Sequence, residues 1–330
     1  MGRRTNVALG LLLCLAVVTG LASNAIGVDG AINLALVHGI TALTIVLLSP
    51  WKSMVVRRGL RRRRPGNWTS LALLALTTIT ILSGLAHATG VWYRIGPLTV
   101  MQIHVGGAVA ALAAAVYHFR RHPQKLRRAD LERRALLRGV ALGAGAGLLW
   151  LGWERSLAAL SLPGVDRRFT GSHQRGSGDP AQMPVTSWLN DVVPSIGPAD
   201  WRLSIADQII GPAELSAMES EQWEALLDCT GGWYSVQRWK GVPVDRLLPP
   251  GPWTSFEVRS ATGYARRFPL HDAGRLLLAT EVGGAPLSAG HGFPLRLVAP
   301  GRRGFWWVKW VVSVQPSTQP WWIQSPFPVT

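Results

Sequence analysis

Apolar residues are distributed along this chain in two different ways. Up to position 153 they form five runs, 7–27, 31–49, 68–89, 99–119 and 135–153, separated by short polar connections. A helix needs roughly 20 residues to cross a hydrocarbon core of about 30 Å, so each run predicts a transmembrane helix. After the Gly/Ser-rich entry "LSLPGVDRRFTGSHQRGSGDP" the pattern changes to short β-like stretches bounded by turn residues. "WRLSIAD", "SFEVRSA", "RFPL", "RLLLATEVGG", "PLRLVAP" and "WWVKWVVSVQ" predict strands, and "PAELSAMESEQWEALL" predicts one helix or helical turn region. The expected architecture is a membrane all-α bundle of five helices over 1–155, a linker at 156–169, and an α+β, strand-rich domain over 170–330. No internal repeat or low-complexity tract interrupts it.

Charge adds orientation to this picture. Positions 1–155 hold 19 Lys and Arg against 4 Asp and Glu, whereas 156–330 hold 15 against 14. Nearly all of the net +16 therefore lies between apolar runs, not on a folded basic patch, which argues against nucleic acid as a partner. The basic segments are the N-terminus with Arg3 and Arg4, "WKSMVVRRGLRRRRPG" after the second run, and "RRHPQKLRRADLERR" after the fourth; the other two connections contain only Arg94. The positive-inside rule places these segments in the cytoplasm and everything after Trp153 outside it, as in a multi-pass protein of a bacterial plasma membrane. The first run resembles a signal peptide but is expected to stay as an anchor. Arg133, Arg134, Leu136, Leu137 and Arg138, ahead of a Gly/Ala-rich run, resemble a twin-arginine signal placed inside the chain. Such a signal would carry the last domain across the membrane already folded.

Four histidines, His38, His87, His104 and His118, fall within apolar runs, where polar side chains are expensive and call for a role. His104 and His118 are 14 residues apart, about 21 Å of rise with an angular offset of about 40° on a straight helix. Both thus face the same partners. This arrangement resembles the quinone-linked membrane cytochromes b, which implies neutral imidazoles as axial haem iron ligands. One haem b toward the outer face is expected, with His104 opposed by His38 or His87. A second, at His118, requires a partner at matching depth. Glycines near these histidines fit a macrocycle and ordinary helix packing equally well.

The chain has two cysteines. Cys14 lies in the first apolar run, so Cys229 has no disulfide partner in its own domain, and residue chemistry leaves it as buried filler, ligand or nucleophile. "DCTGGW", "WKGVPVDRLL", "SATGYARRFPL" and "LLATEVGGAPLSAGHGFPLRLVAPGRRGFWWVKWV", in that order, resemble the sulfite oxidase fold of molybdopterin-dependent oxidoreductases, in the branch that includes the bacterial methionine sulfoxide reductase molybdoenzyme. The resemblance implies Mo-molybdopterin as cofactor, with Cys229 as the thiolate on molybdenum and Tyr264 as the active-site tyrosine. It also implies His291 and Arg296 as pterin contacts, Lys309 near the cofactor phosphate, Trp307 and Val308 as donors of backbone groups, and His173 as an early pterin contact. Arg302 and Arg303 are weaker phosphate candidates that would serve equally as solvated turn charges.

Sulfite oxidases follow the ligand cysteine with a basic residue, but "GGWYS" follows Cys229, and no arginine occurs before Arg238. A small dianion is most simply held by a cation, so a neutral sulfoxide or N-oxide fits this sequence better. Arg259 or Arg266, from other loops, would restore sulfite binding. The expected function is a molybdoenzyme coupling oxygen-atom transfer to haem b and the quinone/quinol pool. Its substrate would be a small oxo-donor or acceptor, oxidised methionine in proteins included, and membrane lipid its surroundings. The alternatives are a sulfite or organosulfur dehydrogenase donating electrons to quinone, and a non-catalytic haem-binding membrane protein.

Overall fold

The computed structural model describes residues 2–28, 31–61, 67–124, 127–130, 132–187 and 191–327; parts of the two long basic connections, 62–66, 125–126 and 131, lie outside them. The chain divides into two compact units, one of 1–24 with 29–173, the other of 25–28 with 174–330.

The first unit contains the five expected helices: α1 (Gly2–Ala25), α2 (Ile32–Arg61), α3 (Asn67–Thr89), α4 (Val100–Arg121) and α5 (Arg133–Ala159). All five are long and apolar enough to cross a membrane. Val18, Leu82, Val109, Val140 and Leu148 are exposed on them, the arrangement expected where lipid and not water is the solvent. A short hairpin, β1 (Arg94–Ile95) and β2 (Leu98–Thr99), joins α3 to α4. Thr99 then caps α4: its hydroxyl accepts from the Gln102 N–H, and the Gln102 side chain accepts from the Thr99 N–H at 2.8 Å. The α3–α4 pair and the α2–α5 pair are the main packing partners. Residues 156–169 are not extended chain. They begin as the last turn of α5 and continue through a 3₁₀ turn at Pro163–Asp166 that packs on α3 and α5.

A two-residue strand, β3 (His173–Gln174), marks the boundary between the units. The second unit is strand-rich, as expected. One sheet has the order β5 (Gln208–Ile210), β4 (Leu203–Ile205), β13 (Val311–Ser317), β8 (Ser255–Ser260), β9 (Ala265–Pro269). In the other, β7 (Trp233–Pro243) pairs with β6 (Glu221–Cys229) and β10 (Leu277–Val282), and β10 also carries β11 (Ala285–Pro286) and β12 (Arg296–Val298). Trp239, Trp310, Phe256, Phe268 and Leu277 are fully buried in its core.

Two expectations are corrected here. Only Pro212–Ala217 of "PAELSAMESEQWEALL" is helical (α6); Glu221 onward is strand β6, paired with β7 in register from Glu221↔Gly241 to Cys229↔Trp233. "WWVKW" is not strand either. It forms a 3₁₀ turn at Gly304–Trp306 and an irregular stretch ending at Trp310, whose φ of 52° takes the backbone out of the β region before β13 starts.

Candidate functional site

Strand β6 alternates between half-buried and exposed positions up to Glu224, buries Ala225, and then buries Leu227, Asp228 and Cys229 together. A buried carboxylate beside Cys229 needs a cation. Arg303 supplies it: fully buried, it ion-pairs with Asp228 and donates from Nη2 to the Cys229 carbonyl at 3.3 Å. Arg303 is therefore a structural clamp on the strand that carries the thiol and not a solvated turn charge. Arg303→Leu leaves Asp228 buried and uncompensated and is expected to cost about 3–5 kcal/mol of stability. Thermal unfolding of the purified chain followed by tryptophan fluorescence checks this, and an unchanged midpoint refutes it.

Cys229 Sγ accepts from the Gly231 N–H at 3.3 Å, in the turn that reaches Trp233 through Gly232 at φ 88°. Burial pushes the thiol pKa up, while the Gly231 N–H, Arg303 and Lys309 work against that rise. The sulfur borders a cavity of about 60 Å³ lined by Thr186, Asp191, Ser260, Tyr264, Trp307 and Lys309 among others. That space takes a few water-sized groups beside Cys229, the size of the reacting end of a small substrate.

Tyr264 is brought to this cavity, where its hydroxyl donates to the Phe305 carbonyl and burial raises its pKa. Lys309 Nζ donates to Thr186 O at 2.8 Å and Gly290 O at 2.7 Å, both neutral acceptors. Burial, then Arg296, lowers its pKa to about 7, against the pull of Cys229 and Asp191. Arg296 is buried between the rings of Trp239 and Trp307, at 5.3 and 5.7 Å, and its Nη1 donates to His291 O. Burial lowers its pKa to about 10. His291, held to about 4 by burial and Arg296, is neutral at pH 7; its Nε2–H donates to Met183 O at 3.0 Å, and Ser288 Oγ lies 2.9 Å from Nδ1. Arg296 Nε is buried with no protein partner, a donor still to be used. A thiol, a lysine with only neutral acceptors and an arginine with an orphaned N–H make a donor set that fits a sulfur-bound metal with an anionic cofactor.

Other expected contacts do not assemble here. The Trp307 and Val308 N–H groups are spent on Gly304 O and Trp306 O, although the Trp307 side chain lines the cavity. Arg302 pairs with Asp272 and lies over Trp306. Arg259 pairs with Glu257, and Arg266 donates to Ser325 O and stacks on Trp306 at 4.1 Å; neither is among the cavity's lining residues. His173 belongs to the first unit, its ring 4.9 Å from that of His87. Asp191 was not anticipated, nor was the pairing of Arg303 with Asp228, though an acid directly before a buried cysteine is a signal that a buried cation must accompany it.

The helical unit contains a larger cavity, about 510 Å³, lined by His38, His87 and His104 among mostly apolar residues. The His38 and His104 rings are 6.0 Å apart, centroid to centroid, at 85°. His38 Nδ1–H donates to Ala16 O at 2.9 Å and His104 Nδ1–H to Thr80 O at 2.7 Å, which fixes both tautomers with the lone pair on Nε2. Each ring rests on a glycine: a Cβ at Gly20 would come within 2.9 Å of His38, and one at Gly84 within 2.8 Å of His104. His87 differs. Its Nε2–H donates to Gly171 O at 2.7 Å, so that nitrogen offers no lone pair. The His118 ring lies 4.9 Å from that of His122, on the turn that ends the same helix.

Comparison with known proteins bears on the second unit. Residues 190–323 match the family model "Oxidoreductase molybdopterin binding domain". Mitochondrial sulfite oxidases of Homo sapiens and Macaca fascicularis are each 46% identical to this chain over 63 residues, 17% of this chain and 12% of the relative. The chain thus aligns with only a small part of these relatives' length. Among solved structures, the sulfane dehydrogenase SoxCD from Paracoccus pantotrophus aligns at 22% identity with a TM-score of 0.37, covering 38% of this chain and 40% of that one. With a thiol, a tyrosine and buried cations gathered inside the matched span, residues 190–323 are a molybdopterin-binding oxidoreductase domain of the sulfite oxidase type.

Proposed function

We propose that this chain is a membrane oxidoreductase in which Cys229 would hold a molybdenum–pterin centre for oxygen-atom exchange with substrate, and His38 and His104 would hold a haem b for electron transfer. When bound, these groups supply two-electron oxygen exchange and a one-electron relay. The observation that carries the reading is the presence of two separate ligand sets in one chain: a thiol among buried cations, and two imidazoles with matched free Nε2 atoms. Two imidazoles on opposite sides of one metal ion, each at about 2 Å, place their ring centroids about 6 Å apart. The observed 6.0 Å supports a single haem. Among the described residues His118 has a neighbouring imidazole only from its own end of α4, which does not support a second.

The favoured reaction is R₂S=O + 2 H⁺ + 2 e⁻ → R₂S + H₂O, or its N-oxide counterpart, with oxidised methionine in proteins as one substrate and the quinol pool as electron donor. The cavity favours neutral substrates. Lys309 is the cation on it, with a pKa of about 7, and the Asp191 carboxylate opposes an incoming anion. Near neutral pH, Lys309 Nζ can hand a proton to the departing oxygen, and the Tyr264 hydroxyl flanks the same space. Placing this domain outside the cytoplasm rests on the positive-inside pattern and on the twin-arginine-like start of α5, Arg133 and Arg134.

The 46% identity to mitochondrial sulfite oxidase over 63 aligned residues favours a second reading, an oxidase of sulfite or an organosulfur compound feeding electrons to quinone. A turnover screen separates the two. Methionine sulfoxide and trimethylamine N-oxide are tested with reduced viologen, and sulfite with an oxidised quinone analogue. The sulfoxide is expected to give the highest kcat/KM, with no loss of binding between pH 7 and 8. Binding of an anionic substrate is expected to weaken toward a limit of about tenfold per pH unit above about 7, as Lys309 loses its proton. A higher kcat/KM for sulfite than for every oxo donor reverses the assigned direction.

A further inference from the structure

The large cavity of the helical unit is apolar around His38 and His104 and turns polar at one end. There it is lined by Trp153 and Glu154 of α5 and by Arg167, Arg168 and Thr170 of the segment that follows. That segment is fixed in place. The Gly164 position lies so close to α3 that a Cβ there would come within 1.9 Å of Ala88 O. Arg168 N–H donates to Ser172 O and Gly171 N–H to Arg168 O, both at 2.9 Å, and His87 Nε2–H donates to Gly171 O at 2.7 Å. His173 Nε2–H donates to His87 O at 2.8 Å. His87 is thereby a tether for this rim.

Two guanidiniums and one carboxylate line the cavity there, which makes this part of its wall net positive. Arg167 pairs with Glu154 and also donates from Nη1 to Gly164 O, and Arg168 lies 5.4 Å over the Phe169 ring. A second, independent observation points into the cavity: Trp153 Nε1 is buried with no hydrogen-bond partner, on a residue that lines the same space. An orphaned indole N–H and two arginines on the wall of one cavity are donor types that suit carboxylates, one neutral and two charge-assisted.

We propose that Trp153, Arg167 and Arg168 form the anion-binding rim of the cavity and take the two carboxylates of an iron protoporphyrin, so that the macrocycle sits with its acidic edge toward residues 167–171. The assignment rests on the haem reading above and extends it. These three are binding residues for the cofactor's edge, distinct from the iron ligands. They set its orientation and hold its carboxylates ionised. Positive charge at the edge also favours the reduced iron, so the rim raises the haem's midpoint potential.

The test uses the full chain in detergent, stripped of cofactor and reconstituted with iron protoporphyrin IX or with its dimethyl ester. The wild type is expected to bind the free acid at least about tenfold more tightly than the ester, and the double variant R167L/R168L to bind both alike. Trp153→Phe, which keeps the packing, is expected to lose part of the preference. In R167L/R168L the midpoint potential falls, and it becomes pH-dependent between about pH 5 and 8 as released carboxylates titrate, while the iron-ligand absorption bands are retained. Equal binding of acid and ester by the wild type, or an unchanged potential and pH slope in the double variant, overturns the rim assignment and leaves the haem in place. A wild-type chain that takes up neither compound overturns the haem reading itself. Where R167L/R168L does not fold, the acid-to-ester ratio of the wild type decides alone.

Discussion

Cys229→Ser is expected to strip the purified protein of molybdenum and to reduce turnover by at least about a hundredfold, while the haem absorbance and the fold remain. The magnitude follows from a lower bound: disturbing groups that merely support a metal ligand costs about 10–100-fold in affinity or activity, and here the ligand itself is removed. Serine is nearly isosteric, and Gly231 N–H is placed to donate to its oxygen as it does to the sulfur, so the turn at Thr230–Gly232 should survive. What changes is donor softness. A buried hydroxyl stays protonated and is a poor ligand for a metal that favours sulfur. Elemental analysis and turnover with reduced viologen are measured together on the full chain. Cys14→Ser is the control, since Cys14 is exposed on α1 and far in sequence from the matched domain. If Cys229→Ser retains full metal and turnover, Cys229 is packing and the molybdenum reading falls. A loss of haem along with molybdenum would instead indicate a folding defect, which the Arg303→Leu unfolding measurement calibrates.

The five helices were legible because length and hydropathy leave no alternative for a run of some 20 apolar residues. The second unit was harder, and its misread parts have physical reasons. "EQWEALL" is rich in helix formers, yet it forms β6 because nine residues pair with β7 and bury Ala225, Leu227 and Cys229. Long-range pairing overrides a propensity worth only tenths of a kcal/mol per residue. Strand β7 was not among the expected strands, although its positions alternate between buried and more exposed through "WYSVQRWK". "WWVKW" has strand composition and still turns, because the turn that carries Lys309 to the cavity requires Trp310 at positive φ. Within the site, Cys229, Tyr264 and Lys309 were legible from motif resemblance and do share one cavity. The clamp role of Arg303 and the presence of Asp191 were not, since only three-dimensional pairing reveals that a buried acid owns a given arginine or that a loop carboxylate lines the same cavity as a given thiol. His173 is a different case. Its position near the start of the domain suggested a cofactor contact, and the structure sets it against His87.

His104→Ala and His38→Ala are each expected to abolish the reduced-minus-oxidised haem spectrum, and His87→Ala and His118→Ala to retain it. The discrimination comes from hydrogen bonding, not from depth in the membrane, which would have left His87 and His38 equivalent as partners of His104. A ligating imidazole needs a lone pair on the nitrogen facing the metal and usually anchors the other N–H on a carbonyl or carboxylate. His104 and His38 satisfy this through Thr80 O and Ala16 O. His87 has its Nε2 proton committed to Gly171 O and acts on the rim instead. Its loss should therefore loosen residues 167–171, shifting the haem's midpoint potential without removing the absorption bands. His38→Met and His104→Met add a quantitative arm: a thioether in place of one imidazole should raise the potential and change the ligand-sensitive bands if that position binds iron. Loss of the spectrum in His87→Ala with retention in His38→Ala would exchange their roles and move the haem toward residues 167–171. Retention in all four single variants would remove the haem from this bundle. A histidine that ligates iron cannot be replaced by alanine with the ligand-sensitive bands intact, whereas one that only fills space or pins a backbone carbonyl can.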